Sequence, residues 1–186
     1  FLKKAGTEWG HIADWLGRLA LALPGVHFEV QRDDRPALVW PATARRLDRI
    51  AAVLSEQEAA GLVAVEWEEK AGHVEAYLSP PDRSRSDANG LHLFVNGRPV
   101  RDRLLRHALL EAYRDLLPRG RYPSAVAFLG VAPDQVDVNV HPAKWEVRFA
   151  DVQGIHQLLR HAVREAMVGR AWLAPSEPRV LPNGPL

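Results

Sequence analysis

The most informative part of the sequence is VDVNVHPAKWEVRF, at positions 136–149. Valines at 136, 138 and 140 alternate with polar residues, which is the two-residue period of a half-buried β-strand. The alternation returns over 146–149, and between the two runs Pro142 lacks the backbone N–H needed for regular strand pairing. The pattern therefore predicts two short strands that flank a loop, and this loop carries Lys144.

Lys144 is the candidate for chemistry in this stretch. A lysine ammonium on a long stem can reach a phosphate as a point charge, and a short loop between strands would hold its base in place. Solvated loop lysines with no ligand are much more common than phosphate-binding ones. The residue type alone therefore leaves both interpretations open.

Two further segments lie upstream and bear on the choice between a phosphate-binding and a solvated Lys144. FVNGRPVRD occupies positions 94–102, and the chain starts with FLKK, followed by TE at 7–8 and HI at 11–12. Together with 136–149, in this order, they resemble the MutL family of DNA mismatch-repair proteins. The resemblance extends over roughly residues 1–167 and is strongest over 91–150.

The resemblance implies a particular domain of that family. It is the transducer domain, the second half of the N-terminal region, with a ribosomal protein S5 domain 2-like fold: an α/β sandwich whose mixed sheet is covered mainly on one face by helices. In the family this domain follows an ATPase domain of the GHKL class. None of the 13 glycines forms a GxG or P-loop cradle here, so we expect an excised domain. We expect no ATPase activity from the isolated chain, whereas the parent protein should be an ATPase.

Periodicity independently predicts an α/β chain. Helical spacing occurs over 7–23, 43–54, 102–116 and 151–167, with Thr7, Thr43, Asp102 and Asp151 as candidate N-caps. Strand patterns occur over 26–31, 37–40, 62–68, 73–78, 91–95 and 124–131. A proline-rich tail without periodicity follows. We therefore predict a domain over 1–170 and the start of a flexible linker over 171–186.

Composition is that of an ordinary globular protein. The 186 residues are 47% hydrophobic and 25% charged, and there is no cysteine, which excludes a disulfide framework or a thiolate metal site. No apolar run approaches the roughly 20 residues of a membrane span, and no secretory signal pattern opens the chain. These features favour a cytoplasmic location, and the resemblance implies that it is of the bacterial type.

Arginine is concentrated in one segment. Residues 98–121 hold seven arginines against three acidic residues, although the net charge of the whole chain is only +1. Such a surplus favours polyanions, because each phosphate contact releases counterions. A solvated helix face whose arginine stems cover apolar surface explains the pattern equally well. The resemblance implies that Arg103, directly after Asp102, contributes to DNA binding, and we add Arg101 and Arg106 from charge alone.

The resemblance also implies a mechanism and a set of partners. Lys144 would contact the γ-phosphate of ATP held by the adjacent domain, and the transducer would couple ATP binding and hydrolysis to DNA and partner binding. ATP and Mg²⁺ would belong to that ATPase domain, so we predict no cofactor and no metal site in this chain. The expected partners are the ATPase domain, DNA through sequence-independent phosphate contacts, a mismatch-recognition protein and downstream repair factors. The parent is expected to be a homodimer.

Two other classes of protein stay open. A transducer of a type II topoisomerase-like or chaperone-like GHKL ATPase would share the fold and a similar lysine, but the FVNGR and HPAKWEVRF segments argue against it. An S5-like RNA-binding module would share the fold too, and would usually be more basic than a net charge of +1. A strand-passage assay, and competition between duplex DNA and structured RNA, would separate these classes.

Overall fold

The computed structural model of the chain describes residues 5–137, 145–167 and 179–180. By compactness the chain divides into two units, Phe1–Ala60 and Gly61–Leu186. The domain predicted over 1–170 therefore contains two compact parts, and its boundary with a linker stays a prediction. Within the described residues, no helix combines the length and the apolar character that crossing a membrane requires.

The first unit consists of three helices and a hairpin. Helices α1, α2 and α3 cover Ala5–Ala22, Arg46–Val53 and Glu56–Ala59, and strands β1 and β2 cover Phe28–Arg32 and Arg35–Trp40. The two strands pair antiparallel. The hairpin turns at Asp33 and Asp34, which adopt positive φ angles of 51° and 59°, a conformation that aspartate tolerates better than most residues.

Two of the predicted helix caps in this unit are wrong. Thr7 lies inside α1, so it does not precede the helix. Thr43 donates its hydroxyl to the Arg45 carbonyl at 3.0 Å, and the residue that precedes α2 is Arg45, which makes no side-chain cap. The helix predicted over 43–54 corresponds to α2, which covers Arg46–Val53. Ser55 starts the separate one-turn helix α3 by accepting a hydrogen bond from the Glu58 amide at 3.1 Å, because serine competes well for free amides at a helix start.

The second unit is built on a mixed six-stranded sheet. Its strands are β3 Val63–Glu69, β4 Gly72–Leu78, β5 Leu91–Val95, β6 Arg98–Val100, β7 Ala125–Gly130 and β10 Arg179–Val180. Their order across the sheet is β10-β3-β4-β7-β5-β6. The β10–β3 and β5–β7 pairs are parallel and the others antiparallel. Strand β10 lies within the segment predicted as linker, so that segment contributes an edge strand.

Two amphipathic helices cover one face of this sheet, as predicted. Helices α4 (Arg103–Ala112) and α5 (Val152–Met167) bury apolar side chains in one core with alternate residues of β3, β4, β5 and β7. Asp102 caps α4 by accepting from the Leu105 amide at 3.0 Å, and Asp151 caps α5 by accepting from the Gly154 amide at 2.8 Å. Helix α4 ends at Ala112, four residues earlier than its apolar spacing suggests.

The predicted Asn96-Gly97 turn is confirmed. Asn96 and Gly97 have φ angles of 48° and 77°, which this tight hairpin turn between β5 and β6 requires. Asn96 also fastens the turn to the end of β7. Its side chain donates to the Val131 carbonyl and accepts from the Val131 amide, both at 2.9 Å.

The two strands predicted around the Lys144 loop pair with each other. Strands β8 (Val136–Asp137) and β9 (Arg148–Phe149) are antiparallel, with Val136 opposite Phe149 and Asp137 opposite Arg148. Phe149 is buried in the core beneath α5. Residues 138–144, which include Lys144, lie outside the described residues.

Candidate nucleic-acid interface

Four exposed arginines lie in α4 and the segment leading into it: Arg98 begins β6, Arg101 precedes the helix cap, and Arg103 and Arg106 are helical. These four are called the arginine group below. The helix begins here because Asp102 caps it, and Asp102 is itself 8% exposed. The single acidic side chain within residues 98–106 is therefore buried and accepts a hydrogen bond from a backbone amide. The four guanidinium groups remain at the surface around a helix N-terminus, which adds its own partial positive charge.

Arg103 and Arg106 are the two members of the group that lie within the helix. They are three residues apart on α4, so they share a face of the helix, and both are exposed. Among the described residues, neither makes an ion pair or a side-chain hydrogen bond. Two cations without acidic partners on one helix turn form a surface that suits a phosphate backbone.

Arg101 has a different environment. Its guanidinium carbon lies 3.9 Å from the centre of the Trp145 ring, well within the range of a cation–π contact, and its amide donates to the Trp145 carbonyl at 2.7 Å. Arg101 is thus fixed against the residue that directly follows Lys144 in the sequence. Charge alone placed Arg101 in the same role as Arg106, whereas the structure makes it a link between α4 and the segment at 145–149.

The remaining arginines of the basic segment belong elsewhere. Arg114, Arg119 and Arg121 follow the C-terminal end of α4, and ten helical residues separate the two ends by about 15 Å. Arg121 donates to the hydroxyl of Ser84 at 3.2 Å and also to its carbonyl. The seven arginines therefore form two groups at opposite ends of one helix.

Trp145 is the functional candidate that sequence reasoning missed. The available signal was its position beside Lys144, but an aromatic residue that begins a strand-like pattern is usually explained by core packing. Its partner, Arg101, is 44 positions earlier in the chain, and no local pattern connects the two.

One cleft among the described residues lacks the character of a nucleotide cradle. A cleft of about 220 Å³ lies where the end of α4 meets α5, and it is lined by charges of both signs, including Glu111, Asp115, Arg160 and Arg164. This mixture lacks the converging backbone amides and glycines that bind the phosphates of a nucleotide.

Comparison with known proteins agrees with the sequence motifs. The sequence model of the family described as DNA mismatch repair protein, C-terminal domain, matches residues 50–168. The DNA mismatch repair protein MutL of Geobacter sulfurreducens is 42% identical over 177 residues, which cover 95% of this chain and 29% of that protein. The chain therefore spans less than a third of the length of this relative.

Solved structures share the fold at low sequence identity. A crystal structure of the N-terminal domain of a DNA repair protein superposes with a TM-score of 0.74 and 16% identity, covering 92% of this chain and 56% of that one. The Aquifex aeolicus MutL ATPase domain complexed with ADP gives a TM-score of 0.55 and 18% identity, covering 86% of this chain and 50% of that one. The predicted α/β fold, with a mixed sheet and helices on one face, is thus confirmed as one found in MutL-type chains. From the family match and the sequence identity together, this chain belongs to the MutL family of DNA mismatch-repair proteins.

Proposed function

We propose that this chain is a transducer domain, which couples ATP binding and hydrolysis in an adjacent GHKL-class ATPase domain to DNA binding. In this proposal Lys144 contacts the γ-phosphate of ATP, and the ATPase domain supplies the nucleotide and Mg²⁺ sites. Arg103 and Arg106 contact DNA phosphates, and Arg101 supports them. Such contacts carry no sequence information, which suits a protein that must act wherever a mismatch occurs.

The observation that carries the proposal is the contact of Arg101 with Trp145. The Arg101 amide and guanidinium both meet the residue next to Lys144, and Asp102, the cap of α4, directly follows Arg101. A phosphate that attracts the Lys144 ammonium would pull on the chain at Trp145. Because the Trp145 carbonyl accepts a hydrogen bond from Arg101, the residue before the α4 cap, that pull would reach the helix turn that bears Arg103 and Arg106. In this proposal, only a few residues connect the lysine that contacts ATP to the arginines that contact DNA.

Replacing Trp145 by alanine in the parent protein is expected to weaken this coupling. The cation–π contact is worth about 1 kcal/mol, so the ratio of DNA affinities with and without ATP should fall about fivefold. DNA affinity without nucleotide should change little, because Arg103 and Arg106 remain. The measurement is DNA binding with and without a non-hydrolysable ATP analogue, with Trp15→Ala, an exposed tryptophan of α1, as the control. An unchanged ratio in Trp145→Ala would contradict the proposed route.

Reversing the charge of Arg103 is expected to weaken DNA binding for all sequences alike. A single domain with few cations should bind DNA with a Kd on the order of 10⁻⁴–10⁻⁶ M. Arg103→Glu should reduce the salt dependence of binding by roughly one to two phosphate equivalents, because one contact is lost and a repulsive charge is added. Fluorescence anisotropy with duplex and single-stranded DNA at several salt concentrations measures both quantities.

Arg119→Glu is the matched control for that experiment. Arg119 is exposed, lies beyond the other end of α4, and changes the net charge by the same amount. If both reversals reduce affinity equally, binding depends on net charge and not on the arginine group. If Arg103→Glu leaves affinity and salt dependence unchanged, the group is a solvated helix face and DNA binds elsewhere.

The proposal extends to the parent protein. A homodimer would pair two arginine groups and strengthen weak DNA contacts by avidity. A mismatch-recognition protein and downstream repair factors would bind the parent, which we place in the bacterial cytoplasm together with its DNA substrate. The family membership favours this function over a topoisomerase-like or chaperone-like transducer and over an RNA-binding module.

A further inference from the structure

A cluster of two histidines and a glutamate joins helices α4 and α5, and its first member, His107, directly follows Arg106 in the sequence. His107 and Glu111 are four residues apart on α4, which places them on one face, and His156 on α5 faces them. His107 Nδ1 lies 3.3 Å from His156 Nε2 and 3.7 Å from Glu111 Oε2, and His156 Nε2 lies 3.2 Å from Glu111 Oε2. One ligand-type atom from each side chain therefore lies within 3.7 Å of the other two.

His107 Nδ1, His156 Nε2 and Glu111 Oε2 form a triangle, and its size matches that of a transition-metal site. Zn²⁺ binds imidazole nitrogen and carboxylate oxygen at about 2.0–2.2 Å, so neighbouring ligands of a tetrahedral ion lie about 3.3–3.5 Å apart. The three observed separations, 3.2, 3.3 and 3.7 Å, surround that value. An ion above the triangle would need only small side-chain adjustments to bind all three atoms.

The neighbouring residues prepare Glu111 for this role. Arg160, one turn beyond His156 on α5, lies with its Nη1 atom 3.4 Å from Glu111 Oε1. The carboxylate is thereby oriented through one oxygen, while the other faces the two rings, as outer partners orient ligands at metal sites. The positive charge of Arg160 lowers the affinity for a cation, so we expect a site of moderate strength.

Solvent has access to the cluster. The side chain of His107 is 65% exposed, whereas those of Glu111 and His156 are 24% and 22% exposed. A metal ion can enter from the His107 side, and water can complete a tetrahedral coordination there. Two helices supply the ligands, so a bound ion would cross-link the helical layer that covers the sheet.

We propose that His107, Glu111 and His156 form a binding site for a Zn²⁺-like transition-metal ion that bridges α4 and α5. The sequence predicted no metal site in this chain, because His156 is 45 positions from Glu111 and only the packing of the helices brings them together. The same triangle of atoms could be held by hydrogen bonds alone, and that alternative makes different predictions.

The test uses the 186-residue chain without an affinity tag, titrated with Zn²⁺ and with Co²⁺. We expect one equivalent of metal by calorimetry, the visible absorption of tetrahedral Co²⁺, and a melting temperature that rises by several degrees with Zn²⁺. His107→Ala and His156→Ala should each weaken Zn²⁺ binding by more than about 100-fold, the upper loss seen for outer-shell changes, and should abolish the Zn²⁺-dependent rise in melting temperature. Because His107 is largely exposed, its replacement should leave the fold intact.

His161→Ala is the matched control. His161 also lies on α5 and pairs with a glutamate, Glu69, at 3.0 Å, but it takes no part in the triangle. This variant should bind Zn²⁺ as the unchanged chain does. Absence of saturable binding, binding that survives in both His107→Ala and His156→Ala, or an equal loss in His161→Ala would each overturn the proposal and leave a hydrogen-bonded cluster.

Discussion

Replacing Lys144 by alanine in the intact parent protein should lower ATP turnover about 100-fold, the usual effect of removing one preorganised charge from a transition state. Nucleotide affinity should fall much less, because in the proposed role the ammonium acts mainly on the charge that develops as the γ-phosphoryl group transfers. Lys144→Arg should also be impaired, since a planar guanidinium does not replace a compact point charge. Steady-state turnover, with nucleotide binding measured separately, checks both expectations.

Two controls make this result interpretable. Lys70→Ala removes an exposed lysine from the turn between β3 and β4 and should leave turnover unchanged. The isolated 186-residue chain should show no turnover, because Lys144 alone cannot bind the base or Mg²⁺. Normal turnover in Lys144→Ala would mean that the segment at 136–149 has only a structural role.

Replacing Arg49 by methionine should destabilise the first unit by about 3 kcal/mol, which is about a 100-fold change in its folding equilibrium. Arg49 is fully buried. Its guanidinium donates to the Trp40 carbonyl at 3.1 Å, to the Pro24 carbonyl at 2.8 Å and to the Val26 carbonyl, and it lies 5.6 Å from the Phe28 ring centre. It therefore connects α2 to the β-hairpin and to the loop that follows α1.

The physical basis of this expectation is that the acceptors are backbone groups. Burial lowers the pKa of Arg49, the direction that disfavours its charge, and hydrogen bonds to the carbonyls offset part of that cost. Methionine fills a similar volume without desolvating a charge, but it leaves the carbonyls of Val26 and Trp40 without this donor. The Pro24 carbonyl keeps the Thr43 amide at 2.9 Å, so the loss is smaller than three full hydrogen bonds.

Urea unfolding measures this effect, with Arg45→Met as the control. Arg45 precedes α2, is exposed, and makes no side-chain cap, so its replacement should change stability by less than about 0.5 kcal/mol. Equal stability of the two variants would show that the buried guanidinium contributes nothing net. Circular dichroism of the folded baseline confirms that both variants retain the fold before unfolding is compared.

Local sequence patterns predicted most of the second unit. The apolar stripes of α4 and α5, the caps at Asp102 and Asp151, and the Asn96-Gly97 turn all depend on residues within a few positions of each other. Their physics is local: a carboxylate meets an amide three residues on, and glycine accepts a positive φ angle. The same reasoning failed at Thr43, because a threonine hydroxyl has a competing acceptor in the Arg45 carbonyl.

Local sequence patterns predicted only part of the candidate site. The motifs identified the family and directed attention to Lys144 and Arg103, and charge counting found the basic segment. The charge count treated seven arginines as one surface, because a sum of charges over a segment does not show where each side chain lies. Helix α4 separates them by its length, and the early end at Ala112 places three of them beyond its far end.

The amino-acid sequence was enough to predict the α/β class, the family, the two sheet-covering helices and the location of the basic segment. Each of these predictions rests on short-range periodicity or on a contiguous motif. Only the tertiary structure decided the strand order, the contact of Arg101 with Trp145, the burial of Arg49 among carbonyls, and the approach of His156 to His107 and Glu111. Each of these joins residues far apart in the chain. Such pairs form because burying one apolar face of the helices on the sheet fixes where every other side chain of those helices must lie.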